Sequence, residues 1–131
     1  MKIKSYEQLI VWQKSMDLVT AIYQLTGSFP KEEIYGLSIQ MKRSAISIPS
    51  NIAEGSRRGT RKDFRHFLLN AFGSGAELET QLKIARRLSF NQNFDFSIAE
   101  NLLEEVMRML NKLIKELQKV ETTNYSLPTT N

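Results

Sequence analysis

Apolar positions recur at helical spacing along most of the chain, three and four residues apart, and they predict four helices. The intervening segments are short and carry glycine, proline or asparagine, which are typical of turns. The predicted helices are 6–26, 37–57, 61–88 and 97–119. Six glycines and three prolines are too few for the many turns of an all-β fold. The pattern therefore predicts an all-α protein.

The third predicted helix has the clearest periodicity. Its apolar and small residues step alternately by four and three positions, which is the heptad spacing of antiparallel four-helix bundles. They are Phe64, Leu68, Ala71, Gly75, Leu78, Leu82 and Ala85. Gly59-Thr60 leaves no room for a long loop before this helix, so helices 2 and 3 are predicted to form an antiparallel hairpin. We expect an up-down four-helix bundle over residues 1–119, followed by a disordered tail at 120–131, which lacks periodicity.

Residues typical of helix ends support these boundaries. Capping boxes are predicted where a serine or threonine precedes an acidic residue or glutamine by three positions. The pairs are Ser5 with Gln8, Thr60 with Asp63, and Ser97 with Glu100. Gly27 and Gly59 are predicted to end helices in the left-handed conformation. Pro49 lies inside helix 2 and predicts a kink, because it lacks a backbone donor.

Helix 1 carries apolar residues on two nearly opposite faces. The first face consists of Leu9, Trp12, Met16, Val19 and Tyr23. A helix at the surface of a monomer needs only one apolar face. A second apolar face therefore favours self-association. The alternative is that helix 1 is buried deeply within its own domain. Leu69 and Phe72 form a further apolar patch on helix 3. The predicted subunit interface combines the second face of helix 1 with this patch on helix 3. Its residues are Val11, Leu18, Ile22 and Leu25 on helix 1, and Leu69 and Phe72 on helix 3.

Positive charge is concentrated in residues 41–66. The whole chain has a formal net charge of +4, whereas this stretch has seven basic and two acidic residues, a net of +5. Such a cluster can contact nucleic-acid phosphates, although clusters at helix ends are often only solvated. The sequence shows no aromatic residues interleaved with the cluster for base stacking. The predicted nucleic-acid-binding residues are Lys42, Arg43, Arg57, Arg58, Arg61, Lys62 and Arg65.

No catalytic, metal or cofactor site is predicted. The chain has no cysteine and one histidine, His66, which we interpret as a surface residue. Glu77 and Glu79 are two positions apart and face different ways on a helix, so they do not form an acid–base pair. The N-terminus lacks the apolar core of a signal peptide, and no apolar run reaches the length of a membrane span. We expect a cytoplasmic, non-enzymatic protein without a membrane or small-molecule partner.

The segment 40–58, QMKRSAISIPSNIAEGSRR, resembles the four-helix-bundle proteins encoded in intervening sequences of bacterial 23S rRNA genes. Segments 9–18, 22–37 and 74–88 are similar to the same family, and the resemblance covers about residues 6–118. The family motif falls on Arg43, Ser47, Pro49, Asn51, Glu54 and Gly55, none of them an assigned catalytic residue. The resemblance implies a homopentamer of up-down bundles. A more remote resemblance is to the accessory protein of diversity-generating retroelements, which binds nucleic acid.

Two hypotheses of function follow. The first is a non-enzymatic cyclic homo-oligomer that binds nucleic acid, RNA by preference, through the basic hairpin tip at residues 57–65. The alternative is an oligomeric scaffold or adaptor for a protein partner. Strong salt dependence of binding would favour the first, whereas exposed apolar surface together with indifference to RNA would favour the second.

Overall fold

A computed structural model describes the backbone of residues 5–88 and 93–130, with side chains described for 5–33, 36–88 and 93–119. All regular structure in these residues is helical, which confirms the predicted class. The α-helices are α1 (Ile10–Thr26), α2 (Ile39–Arg57), α3 (Arg61–Leu88) and α4 (Ser97–Thr130). Short 3₁₀ helices span Tyr6–Gln8 and Lys31–Glu33, and a π-helical turn spans Ile34–Ser38. In the part of the chain described, no helix combines the length and the apolar character that a membrane crossing requires.

The four helices share one apolar core. The buried residues of α3 are the seven of the predicted heptad pattern, from Phe64 to Ala85. The main packing contacts join each helix to the next along the chain and join α4 back to α1. Leu68 and Leu78 are fully buried, and truncating such a leucine to alanine costs about 2–5 kcal/mol. This seam therefore holds α3 firmly in place between α2 and α4.

The connection between α2 and α3 is as tight as predicted. Gly59 has φ +89°, in the left-handed region that glycine adopts without strain. Thr60 Oγ1 then accepts a hydrogen bond of 3.1 Å from the backbone N–H of Asp63, which caps the start of α3. As a result, the last residues of α2 and the first residues of α3 lie within one sharp turn.

The predicted left-handed end of α1 at Gly27 is wrong. Gly27 has φ −61° and ψ −21°, in the right-handed helical region. Its N–H donates to the carbonyl of Tyr23, and Ser28 N–H donates to the carbonyl of Leu25. The chain thus leaves α1 through one more right-handed turn, which satisfies the last carbonyls without a left-handed residue.

The other two predicted capping boxes are also wrong. Ser5 Oγ accepts from the N–H of Glu7 at 3.2 Å, not from Gln8, and it caps the 3₁₀ helix while α1 begins later, at Ile10. The different partner follows from the tighter 3₁₀ geometry at this end.

At the start of α4, the side chain that caps the N-terminus of the helix is that of Asp95, whereas Ser97 was predicted to cap it. The hydroxyl and the N–H of Ser97 both donate to Asp95 Oδ1, at 2.6 and 3.0 Å. These hydrogen bonds, the side-chain one foremost, hold the pKa of Asp95 below its ordinary value. Glu100 does not return to cap the helix, because its carboxylate pairs with the Arg86 guanidinium on α3 at 2.5 Å.

The last helix is longer than predicted. The periodicity places its end near Lys119, whereas the backbone of α4 remains helical to Thr130. Side chains 120–131 lie outside the described residues, so the division into a domain at 1–119 and a disordered tail stays a prediction.

Four of the predicted interface residues belong to the core of the single chain. Their exposed fractions are at most 7%, and they are Val11, Leu18, Ile22 and Leu25. This part of the predicted interface is wrong, because α2 and α4 pack on that face of α1 and bury it. The opposite face of α1 is the exposed one, with Met16 at 42% and Tyr23 at 46% exposed. Leu69 remains 42% exposed on α3, and Phe72 is partly buried beside the core.

Candidate nucleic-acid interface

The sharp turn between α2 and α3 brings five cations together. Arg57 ends α2, Arg58 follows it, and the first turns of α3 add the other three, Arg61, Lys62 and Arg65. We call these five residues the basic tip. The first four side chains are exposed, and Arg65 is half-buried with its Nε unpartnered. The tip therefore has four exposed cations and a fifth that is held against the protein.

Two of the predicted binding residues lie elsewhere. Lys42 and Arg43 are in the first turns of α2, whereas the basic tip is at its end. At 1.5 Å per residue the separation along the helix is about 20 Å. Lys42 Nζ lies 4.9 Å from the ring centre of Tyr23, on the exposed face of α1. The seven residues thus form two basic regions at opposite ends of α2.

Arg58 makes two contacts within the tip. Its guanidinium pairs with Glu54 Oε2 at 2.7 Å, one helical turn earlier, and lies 4.9 Å from the ring centre of Phe67. Both side chains of the ion pair are about half exposed, and such pairs contribute little to stability. Glu54 therefore holds Arg58 only weakly.

The structure places aromatic rings beside the basic tip, so the sequence interpretation that it lacks them is wrong. The Arg57 guanidinium lies 5.2 Å from the ring centre of Tyr6, a cation–π distance. Tyr6 in turn packs edge-on against Trp12, with ring centres 5.2 Å apart. His66 is exposed, as predicted, and its ring meets Phe67 edge-on.

Only some of the aromatic residues beside the basic tip could have been identified from the sequence. Phe67 directly follows the cluster and could have been counted from the sequence. Tyr6 and Trp12 are far from Arg57 along the chain, and only the packing of α1 and the preceding 3₁₀ helix on α2 brings them close.

An apolar groove begins at Tyr6 and follows the exposed surface between α1 and α2. Its volume is about 300 Å³. Its lining includes Tyr6, Trp12 and Met16 on one side and Ile46, Pro49 and Ala53 on the other. Because Tyr6 lines the groove and also contacts Arg57, the groove opens directly beside the basic tip. We call it the α1/α2 groove.

Acidic side chains are spread along the helices rather than gathered. Besides Glu54 and Glu100, Glu104 pairs with Arg108 at 3.2 Å and Glu105 with Lys14 at 3.5 Å. Within residues 5–88 and 93–119, no three His, Asp or Glu side chains lie close enough together to hold a metal ion.

Comparison with known proteins places this fold. A crystal structure of a protein with unknown function from the S23 ribosomal protein family of Bacteroides thetaiotaomicron superimposes with a TM-score of 0.57. The match covers 85% of this chain and 97% of the other at 23% identity, so it bears on the fold alone. No curated protein matches. The 23S rRNA-intervening sequence protein family matches residues 7–112. This match spans most of the chain, from within the Tyr6–Gln8 3₁₀ helix well into α4, and so the chain belongs to the 23S rRNA-intervening sequence protein family.

Proposed function

We propose that this protein is a non-enzymatic nucleic-acid-binding protein whose basic tip contacts the phosphates of RNA. The observation that carries the proposal is the gathering of five cations at one turn, four of them exposed, with aromatic rings beside Arg57 and Arg58. An arginine guanidinium can donate two parallel hydrogen bonds to phosphate oxygens, and its flat face can stack on an aromatic ring. The family description refers to 23S rRNA, so RNA is the first polyanion to test.

The position of the cations on α3 supports an anionic ligand. Arg61, Lys62 and Arg65 lie at the N-terminal end of this helix, where the helix dipole disfavours positive charge. Asp63 is the acidic residue of the first turn. A phosphate bound here would offset this repulsion, because the N-terminal end of a helix favours negative charge. Binding of this kind depends on the backbone of the nucleic acid and carries little sequence preference.

The proposal includes an up-down antiparallel bundle. Tyr6, in the 3₁₀ helix just before α1, lies beside Arg57 at the end of α2. Tyr23, near the end of α1, lies beside Lys42 near the start of α2, which supports opposite directions for the two helices. Between α3 and α4, a Cβ atom at Gly75 would meet the Met107 side chain, while Arg86 pairs with Glu100. Later residues of α3 thus meet earlier residues of α4.

We further propose that the bundle assembles into a cyclic homo-oligomer, a ring of five by family resemblance. Leu69 and Phe72 are the two predicted interface residues that the single chain leaves at its surface. In a ring the basic tip would be repeated, and one strand reaching several tips would bind more tightly without any new kind of contact.

A scaffold for a protein partner is the second candidate function. It is favoured by large apolar side chains on the outer surface of α3, where Leu69, Ile84 and Leu88 are each more than 40% exposed. Exposed apolar surface of this kind marks protein–protein contacts when it is contiguous.

The test measures RNA and duplex DNA binding by fluorescence anisotropy across a salt series. The tip variant changes Arg57, Arg58, Arg61 and Lys62 to alanine. The control variant changes Lys83, Arg87, Arg108 and Lys112, four exposed cations on α3 and α4. Each set contains one arginine paired with a glutamate four residues earlier, Arg58 or Arg108, so the charge loss and the ion-pair loss are matched.

We expect wild type to bind with a steep salt dependence, a log–log slope of roughly −0.7 for each phosphate contact with a single strand. The tip variant should flatten this slope and weaken all sequences about equally, while the control should retain most of the affinity. Absence of wild-type binding at ~50 mM salt, or equal weakening by both variants, would overturn the proposal and leave the scaffold as the leading hypothesis.

A further inference from the structure

We propose that the α1/α2 groove binds an unpaired base of the strand whose phosphates the basic tip holds. This inference rests on the proposed function and narrows its ligand to single-stranded nucleic acid. A base that is paired and stacked in a duplex keeps its flat face inside the stack, so it cannot enter a groove on a protein surface.

The geometry joins a phosphate site to an aromatic wall. Arg57 belongs to the basic tip, and its guanidinium lies 5.2 Å from the ring centre of Tyr6. Tyr6 lines the groove and is supported edge-on by Trp12, which lines it as well. A nucleotide has its base and its phosphate joined through one sugar. A phosphate on Arg57 therefore brings the attached base next to Tyr6.

The rest of the groove suits a flat, largely apolar group. Met16 and Ile46 are each 42% exposed, and Pro49 forms part of the floor between them. Ser50 also lines the groove, and its hydroxyl donates to the carbonyl of Ile46 at 2.8 Å. The Ser50 oxygen keeps a lone pair that can accept a hydrogen bond from a base amino group.

Charge favours a nucleotide over a second copy of this chain. The groove opens beside five cations, and the whole chain is itself positively charged, with a formal net charge of +4. A second copy would thus place two positive surfaces near each other, whereas a nucleotide supplies an apolar face together with a negative charge. An apolar peptide would cover the groove but would supply no negative charge to the cations beside it.

The experiment uses two RNA strands of equal length and equal phosphate number, one with bases and one abasic. Both are titrated into the full-length protein, and binding is followed by anisotropy and by protein fluorescence. The chain has a single tryptophan, so the fluorescence of Trp12 reports directly on the groove. We expect the base-bearing strand to bind more tightly and to quench Trp12, and the abasic strand to bind without quenching.

Tyr6→Leu removes the stacking surface and keeps an apolar side chain. Stacking of one base on an aromatic ring corresponds to a change in Kd of about fivefold or more. We expect Tyr6→Leu to weaken the base-bearing strand by at least that factor and to leave the abasic strand unchanged. The matched control is Tyr23→Leu, since Tyr23 is likewise a tyrosine beside a cation, Lys42, and lies outside the groove.

The outcomes separate the inference from the proposed function. If wild type binds both strands equally and Trp12 is not quenched, the groove inference is overturned and the basic tip stands. If Tyr6→Leu changes the oligomeric state in light scattering but not the preference for bases, the groove is a subunit contact and the inference is overturned. If neither strand binds, the proposed function fails and the inference fails with it.

Discussion

The hydroxyl oxygens of Ser47 and Ser74 lie 2.7 Å apart and join α2 to α3 two residues before Pro49. Asn51 Nδ2 donates to Ser47 Oγ at 3.0 Å and to the Ser47 carbonyl at 2.8 Å. Pro49 has no N–H, which leaves the carbonyl of Ala45 without its helical donor. A polar link therefore joins α2 to α3 close to the point where α2 lacks one of its own helical hydrogen bonds.

Ser74→Ala should lower the free energy of unfolding by about 0.5–1.5 kcal/mol, the usual net contribution of one hydrogen bond. Urea denaturation of both proteins measures the difference. Ser50→Ala is the control, since the Ser50 hydroxyl bonds only within its own helix, to the carbonyl of Ile46. An equal loss in the two variants would show that the hydrogen bond between Ser47 and Ser74 contributes nothing to the free energy of unfolding beyond the loss of a serine hydroxyl.

Gly55→Ala should destabilise the protein although alanine favours helix. A Cβ atom at this position would lie 2.6 Å from Phe67 Cβ and 3.3 Å from the Phe64 carbonyl oxygen, so α2 and α3 would have to separate. Overpacking of this kind costs about 1–3 kcal/mol. The expected result is a lower melting temperature in a thermal denaturation experiment.

Gly73→Ala is the matched control on α3. Apart from the backbone of its own helix and its chain neighbours, nothing lies within 4 Å of a Cβ placed there, so the substitution gains helix propensity without a clash. We expect it to raise stability by about 0.5–1 kcal/mol. Stabilisation by both substitutions would mean that the helices can separate at Gly55 at little cost.

Glu54→Gln should strengthen RNA binding by the basic tip. The substitution removes a negative charge and frees Arg58 from its 2.7 Å ion pair. If Arg58 then contacts one more phosphate, the log–log salt slope becomes steeper by roughly 0.7. Glu104→Gln breaks an equivalent pair with Arg108 on α4 and should change neither affinity nor slope. Anisotropy across a salt series compares the two, and an equal gain from both would indicate a general charge effect.

Leu69→Glu should dissociate the proposed oligomer while the helical content stays the same. Leu69 is 42% exposed in the single chain, so a charge is tolerated by the monomer but not in an apolar subunit contact. Ile98→Glu is the control, since Ile98 is 59% exposed on α4. Size exclusion with light scattering gives the mass of each. A wild-type protein that is monomeric at micromolar concentration would overturn the assembly proposal.

Local pattern alone determined the four α-helices, though not the start of α1 or the end of α4, together with the buried face of α3 and the turn between α2 and α3. The heptad positions of α3 are its buried residues. A helix with apolar residues along one face is stable in only one orientation, with that face toward the core. The left-handed conformation of Gly59 and the capping of α3 by Thr60 involve only residues nearby in the sequence, so both were predictable.

Tertiary packing decided which face of α1 is buried and what surrounds the basic tip. Periodicity identifies two apolar faces on α1, but the neighbours α2 and α4 select the face with Leu18 and Ile22 and leave Met16 and Tyr23 exposed. In the same way, Tyr6 reaches Arg57 only because α1 and the 3₁₀ helix before it pack on α2. Contacts between distant segments depend on how whole helices pair, and no short stretch of sequence carries that information.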